Sequence, residues 1–135
     1  MRILGLDPGE KRIGVAVTDP LGITAQGIGV ITYRDLDQAV EEIKKICREY
    51  EVEKIVVGNP LNMNGSSGPA SEKAVLFAEQ LAELLEIPVE MIDERLTSIS
   101  AERTLIYGGV RRKNRREVKD KLAAVIILEN YLASR

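Results

Sequence analysis

Three β-favouring runs follow one another in the first 33 residues before any helical pattern begins. Ile3 to Leu6 and Ile13 to Val17 flank Pro8-Gly9, and Thr24 to Tyr33 is β-branched and Gly-punctuated. Sequential strands with short links pair as an antiparallel meander. Pro presets φ and Gly supplies φ > 0, so Pro8-Gly9 suits the centre of a type II turn. Beyond Tyr33 the pattern changes. Asp35 caps a helix to about Tyr50, with Leu36, Ala39, Val40, Ile43, Ile46, Cys47 and Tyr50 on one face. Lys54 to Gly58 reads as a strand buried on both faces. A helix from Ala70 to Glu86 turns Val75, Ala78, Leu81, Ala82 and Leu85 inward. Pro88 to Asp93 is a strand. Thr97 or Ser98 caps a helix to about Tyr107, which Gly108-Gly109 ends. The last helix runs from about Arg116 to Leu132. Strands separated by helices pair in parallel through right-handed crossovers. The expected fold is α/β: a mixed five-stranded sheet with helices on both faces, a three-layer α/β/α domain over residues 1–135.

Composition narrows the chemistry. The chain has 135 residues, one cysteine and no histidine. Cys47 cannot form an internal disulfide or a multi-cysteine zinc site, and its place in an amphipathic helix makes it a small core residue. Without histidine, Ser-His-Asp and Cys-His catalysis are excluded, as is the commonest nitrogen ligand for zinc. A metal would need oxygen ligands, which points to Mg²⁺ or Mn²⁺. No apolar run reaches membrane-spanning length and the N-terminus lacks a signal-peptide pattern, so a soluble cytoplasmic protein without membrane partners is expected.

Three acidic residues are placed to meet. Asp7 ends the first strand, Glu94 follows the fifth within DERLTS, and Asp120 lies early in the last helix within KDKLAAVIIL. If the first and fifth strands run parallel, Asp7 and Glu94 share the carboxyl edge of the sheet, where sites form in open α/β folds. Asp120 precedes the apolar face Ala123, Ala124, Ile127 and Leu128. Three close carboxylates repel unless a cation neutralises them. Alternation sends Asp93 and Glu94 to opposite faces, so only one of them points at such a site. Each residue also has an ordinary reading: Asp7 as turn initiator, Glu94 as partner of Arg95, Asp120 as partner of Lys119 or Lys121 or of the helix dipole.

The net charge is −2, but it is unevenly spread. Arg111 to Lys121 reads RRKNRREVKDK and carries a net +5, leaving −7 on the remainder. A solubilising loop has such a composition. So does a polyanion site, because Arg grips phosphate in a bidentate fork. Arg111, Arg112, Lys113, Arg115, Arg116 and Lys119 are the candidate nucleic-acid contacts. The loop Asn59 to Pro69 follows a strand beside the one carrying Asp7, which makes Asn59, Asn62 and Ser66 candidate substrate-loop residues.

LGLDPGEKRIGVAVTD, VVGNPLNMNGSSGP, DERLTS followed by AER, and DKLAAVIIL occur here in that order. With these segments the chain resembles the YqgF/RuvX family of Holliday-junction resolvases or pre-16S rRNA nucleases over nearly its full length. The resemblance implies an RNase H-like fold and a metal-dependent nuclease with Asp7, Glu94 and Asp120 as its catalytic and metal-binding carboxylates. Related resolvases have an acidic residue after the fourth strand, where this chain has Asn59, so Glu94 is expected to take that part.

The leading expectation is an endonuclease holding two Mg²⁺ or Mn²⁺ ions about 4 Å apart, bridged by Asp7 and completed by Glu94 and Asp120. Its substrate would be the 5′ end of pre-16S rRNA, with the ribosomal small-subunit precursor as partner, or a four-way DNA junction. A junction resolvase cutting two strands symmetrically would be a homodimer; the sequence itself leaves monomer and homodimer both open. Two other classes compete: a non-catalytic nucleic-acid-binding module, and a fragment of a sugar kinase or actin-like ATPase, for which 135 residues leave no second domain.

Overall fold

A computed structural model describes residues 1–61, 64–93 and 115–135, with the side chains of 115–117 outside that description. The strands are β1 (Arg2–Pro8), β2 (Arg12–Thr18), β3 (Ala25–Thr32), β4 (Val52–Asn59) and β5 (Val89–Asp93). The helices are α1 (Leu36–Glu49), α2 (Pro69–Leu85) and α3 (Arg115–Ser134). The expected helix ending near Tyr107 lies outside the described residues.

The strands form one sheet in the order β3-β2-β1-β4-β5. β1, β2 and β3 are the antiparallel meander, and β4 and β5 join β1 in parallel. The carboxyl ends of β1, β4 and β5 therefore share one edge, as the crossover pattern requires.

Period-2 alternation sorts the strand residues between two apolar layers. Leu4, Leu6, Ile13, Val15, Val17, Ile55 and Val57 face α1 and α2, where they meet Ala39, Val40, Ile43, Cys47, Phe77, Ala78 and Leu81. Ile3, Ala16 and Val56 face α3 and meet Ala124, Ile127 and Leu128. Cys47 is a buried core thiol, and burial pushes its pKa up to about 11. Asp35 caps α1 by accepting the Gln38 N–H.

Two local expectations are corrected. Pro8 belongs to β1, paired with Ile13, and Gly9 closes the ladder by donating its N–H to the Arg12 carbonyl at 2.9 Å. The turn therefore falls on Glu10-Lys11 and is not a type II turn centred on Pro8-Gly9. Gly9 is needed for space, because a Cβ there would lie 2.7 Å from the Arg12 carbonyl oxygen. In α2 the buried stripe is Ser71, Ala74, Phe77, Ala78 and Leu81, while Ala82 is exposed. The helix is rotated from the expected face because Phe77, its largest side chain, takes the core position.

Candidate active-site cleft

Asp7 sits opposite Gly14 in the β1–β2 ladder, so the two share a face of the sheet. That face belongs to α3. A Cβ on Gly14 would collide with the backbone carbonyl of Asp120, and one on Gly5 would collide with Leu128. The two glycines let α3 lie directly on the strands, which brings Asp120 beside the end of β1. Alternation from Gly14 also puts Arg12 on this face. Its Nε lies 3.1 Å from Asp120 Oδ2, with side chains 24% and 19% exposed.

Asp7, Arg12 and Asp120 line a cleft of about 590 Å³ together with Gly9, Glu10, Lys11, Thr32 and Lys119. Three carboxylates and three cationic side chains thus border one opening. The β1–β2 turn on its rim is held by Tyr33. The phenol contacts the carbonyls of Gly9 at 2.6 Å and Glu10 at 2.9 Å, and the Tyr33 N–H donates to the Lys11 carbonyl. Burial and then the nearby Glu10 charge raise the Tyr33 pKa, so the phenol keeps its proton for these bonds.

The expected site residues fall into three groups. Asp7, Asp120 and Lys119 come together in the cleft. Asn59 and Ser66 are held elsewhere. The Ser71 hydroxyl donates to Asn59 Oδ1 at 2.6 Å, pinning the end of β4 to α2, and Ser66 donates to Asn64 Oδ1 through both its N–H and its hydroxyl. Asn59 pairs in register with Asp93, on the face of α2 and away from Asp7. Glu94, Asn62, Arg111, Arg112 and Lys113 lie outside the described residues. Arg115 and Arg116 open α3.

Two contacts at the cleft and its rim were not anticipated. Arg12, not Lys119 or Lys121, is the partner of Asp120. The signal available for it was the alternation that puts Arg12, Gly14 and Ala16 on one face. Tyr33 had no local signal, since its partners are more than 20 residues away.

Asp7 and Asp120, two of the three carboxylates that border the cleft, offer oxygen donors of the kind a hard divalent cation takes in a chain without histidine. Among the described residues, no three acidic, histidine or cysteine side chains cluster tightly enough to hold a metal by themselves.

This fold is that of RNase H-like resolvases. It superposes on Thermus thermophilus RuvC in complex with Holliday junction substrate with a TM-score of 0.60 and 15% identity, covering 99% of this chain and 95% of that one. The fowlpox virus Holliday junction resolvase gives a TM-score of 0.55 at 15% identity, with 99% of each chain covered. At such identity the likeness establishes the fold alone. Sequence comparison goes further: residues 1–134 match the model of the RuvX family, described as Holliday junction resolvase, and the chain belongs to that family of nucleases. Two similar relatives carry the name "Putative pre-16S rRNA nuclease". The Clostridium kluyveri protein is 50% identical over 132 residues, covering 98% of this chain and 96% of its own. The Pelotomaculum thermopropionicum protein is 53% identical over 136 residues, covering 100% and 88%. The class of enzyme is a hydrolase acting on phosphodiester bonds. No helix among the described residues is long and apolar enough to cross a membrane.

Proposed function

We propose that this chain is a divalent-metal-dependent endonuclease of the cytoplasm that trims the 5′ end of pre-16S rRNA. The observation that carries this reading is the convergence of Asp7 and Asp120 on one cleft through the close approach of α3 to Gly14. The names of relatives at 50–53% identity favour the RNA substrate.

In this reading Asp7, Asp120 and Glu94 would hold the metal, two Mg²⁺ or Mn²⁺ ions. Bound there, such ions would supply charge neutralisation at the scissile phosphate and activation of water, chemistry that leaves 5′-phosphate ends. The chain's own groups do the rest. Tyr33 fixes the turn that forms the rim, and α3 is seated on glycine so that Asp120 keeps its place. Lys11 and Lys119 border the opening, where their charge attracts a polyanion. Arg111, Arg112, Lys113, Arg115 and Arg116 would supply further contacts to the nucleic-acid backbone, giving affinity that falls with salt. The precursor of the small ribosomal subunit is the partner that presents the RNA end.

The test is cleavage of a labelled pre-16S 5′ end and a labelled four-way DNA junction by wild type and Asp7→Asn, in Mn²⁺, Mg²⁺ or EDTA. Metal-dependent cutting of the RNA by wild type alone is expected. Cutting of the junction instead would assign the resolvase reading favoured by the family description, with a dimer to make paired cuts. Undiminished cutting by Asp7→Asn would remove the carboxylate mechanism.

A further inference from the structure

Resting on that metal reading, we propose that Arg12 is an internal counter-ion which the divalent cation must displace from Asp120, and which then takes a phosphate of the nucleic acid. Arg12 reaches Asp120 with Nε at 3.1 Å, and both side chains are more than three-quarters shielded from water. Its backbone is fixed: the carbonyl accepts the Gly9 N–H, and the following Ile13 is 1% exposed. Only the side chain is free to swing, and the cleft it lines opens past it.

Charge decides the rest. Asp120 puts a carboxylate on the cleft that Asp7 also lines, and the Arg12 guanidinium offsets the Asp120 charge when no metal is bound. A divalent ion on Asp120 does the same with twice the charge. Ion and guanidinium on one carboxylate would then repel, so each weakens the other. A phosphate entering with the ion offers Arg12 a new partner of the geometry its fork suits. Metal and nucleic acid therefore help each other bind through Arg12, and the coupling is reciprocal. Arg12 is in this sense a positioning residue for the substrate and a competitor of the ion.

The experiment is a calorimetric titration of Mn²⁺ into wild type, Arg12→Gln and Arg12→Lys without nucleic acid, after unfolding scans confirm that each is folded. Arg12→Gln is expected to bind Mn²⁺ about fivefold more tightly, the scale of one partly shielded ion pair. Arg12→Lys keeps the charge and is expected within about twofold of wild type on the same scale. A merely structural arginine would not raise metal affinity when removed. Equal or weaker binding by Arg12→Gln would overturn the counter-ion role while leaving the metal site standing, and so would Arg12→Lys binding as tightly as Arg12→Gln. Absence of Mn²⁺ binding in both wild type and Arg12→Gln would overturn the metal reading and this proposal together.

Discussion

The two ends of α3 rest on the same face of the same sheet and use charge in opposite ways. Near the C-terminal end, Ile127 and Leu128 are fully buried against Ile3, Ala16 and Val56. The charges there are matched at short range: Lys54 Nζ lies 2.7 Å from Glu90 Oε2 and 2.6 Å from the Tyr131 hydroxyl, and stacks on the Tyr131 ring. Glu90 is thereby held below the usual carboxylate range, and Lys54 is held above the usual lysine range by Glu90 first and Tyr131 second. Toward the N-terminal end, Asp120 touches the sheet over glycine and shares a cleft with Asp7, Glu10, Lys11, Arg12 and Lys119. Apolar burial needs no precise placement of charge, so it can anchor the helix. The anchored helix then holds a cluster of charges that would not assemble on their own attraction.

The largest effect should come at the working end. Asp7→Asn is expected to lower cleavage by about 10²–10³-fold, the scale of losing one group that stabilises transition-state charge, with little change in thermal unfolding. A large loss of stability would instead make Asp7 part of the anchor. Leu128→Ala tests the other end. It should cost about 2–5 kcal/mol in denaturant titration while activity per folded molecule stays close to wild type.

Gly14→Ala lies between the two ends and should touch both. Its methyl group cannot enter without moving the Asp120 backbone, so a loss of about 1–3 kcal/mol is expected together with reduced cleavage. Full stability with full activity would break the link between close approach and site. The smallest effect is at the matched charges. Lys54→Met should cost less than about 1 kcal/mol at neutral pH, because the pair is partly solvated. The depressed Glu90 pKa gives stability that is present above the ordinary carboxylate range and lost as pH falls through its folded value. The raised Lys54 pKa gives stability that is present below the ordinary lysine range and lost as pH rises through its folded value. Unfolding midpoints of wild type and Lys54→Met should therefore differ at neutral pH and converge in acid.

The residues that were readable in advance are those whose neighbours are local. The Asp35 cap needs only Gln38, three residues on. The α3 face Ala123, Ala124, Ile127 and Leu128 is written in its own 3.6-residue period and is buried as expected. Asp7 at a strand end and Asp120 ahead of a helix's apolar run were placed by local pattern, and both line the cleft. The α2 stripe was read one step round the helix. Its period was visible, but the layer that receives Phe77 is made by strands elsewhere in the sequence.

The chain's own order of patterns determined the three-layer architecture, the parallel and antiparallel halves of the sheet, and the edge where the carboxylates gather. Alternation with periods of 2 and 3.6 is a local property, and it states which side of each element must be covered. Tertiary structure alone decided that Arg12 reaches Asp120, that Tyr33 ties down the turn, and that Asn59 belongs to Ser71. Those contacts join residues far apart in the chain, and a side chain's hydrogen-bond partner is chosen by distance in the folded state, which no local period encodes.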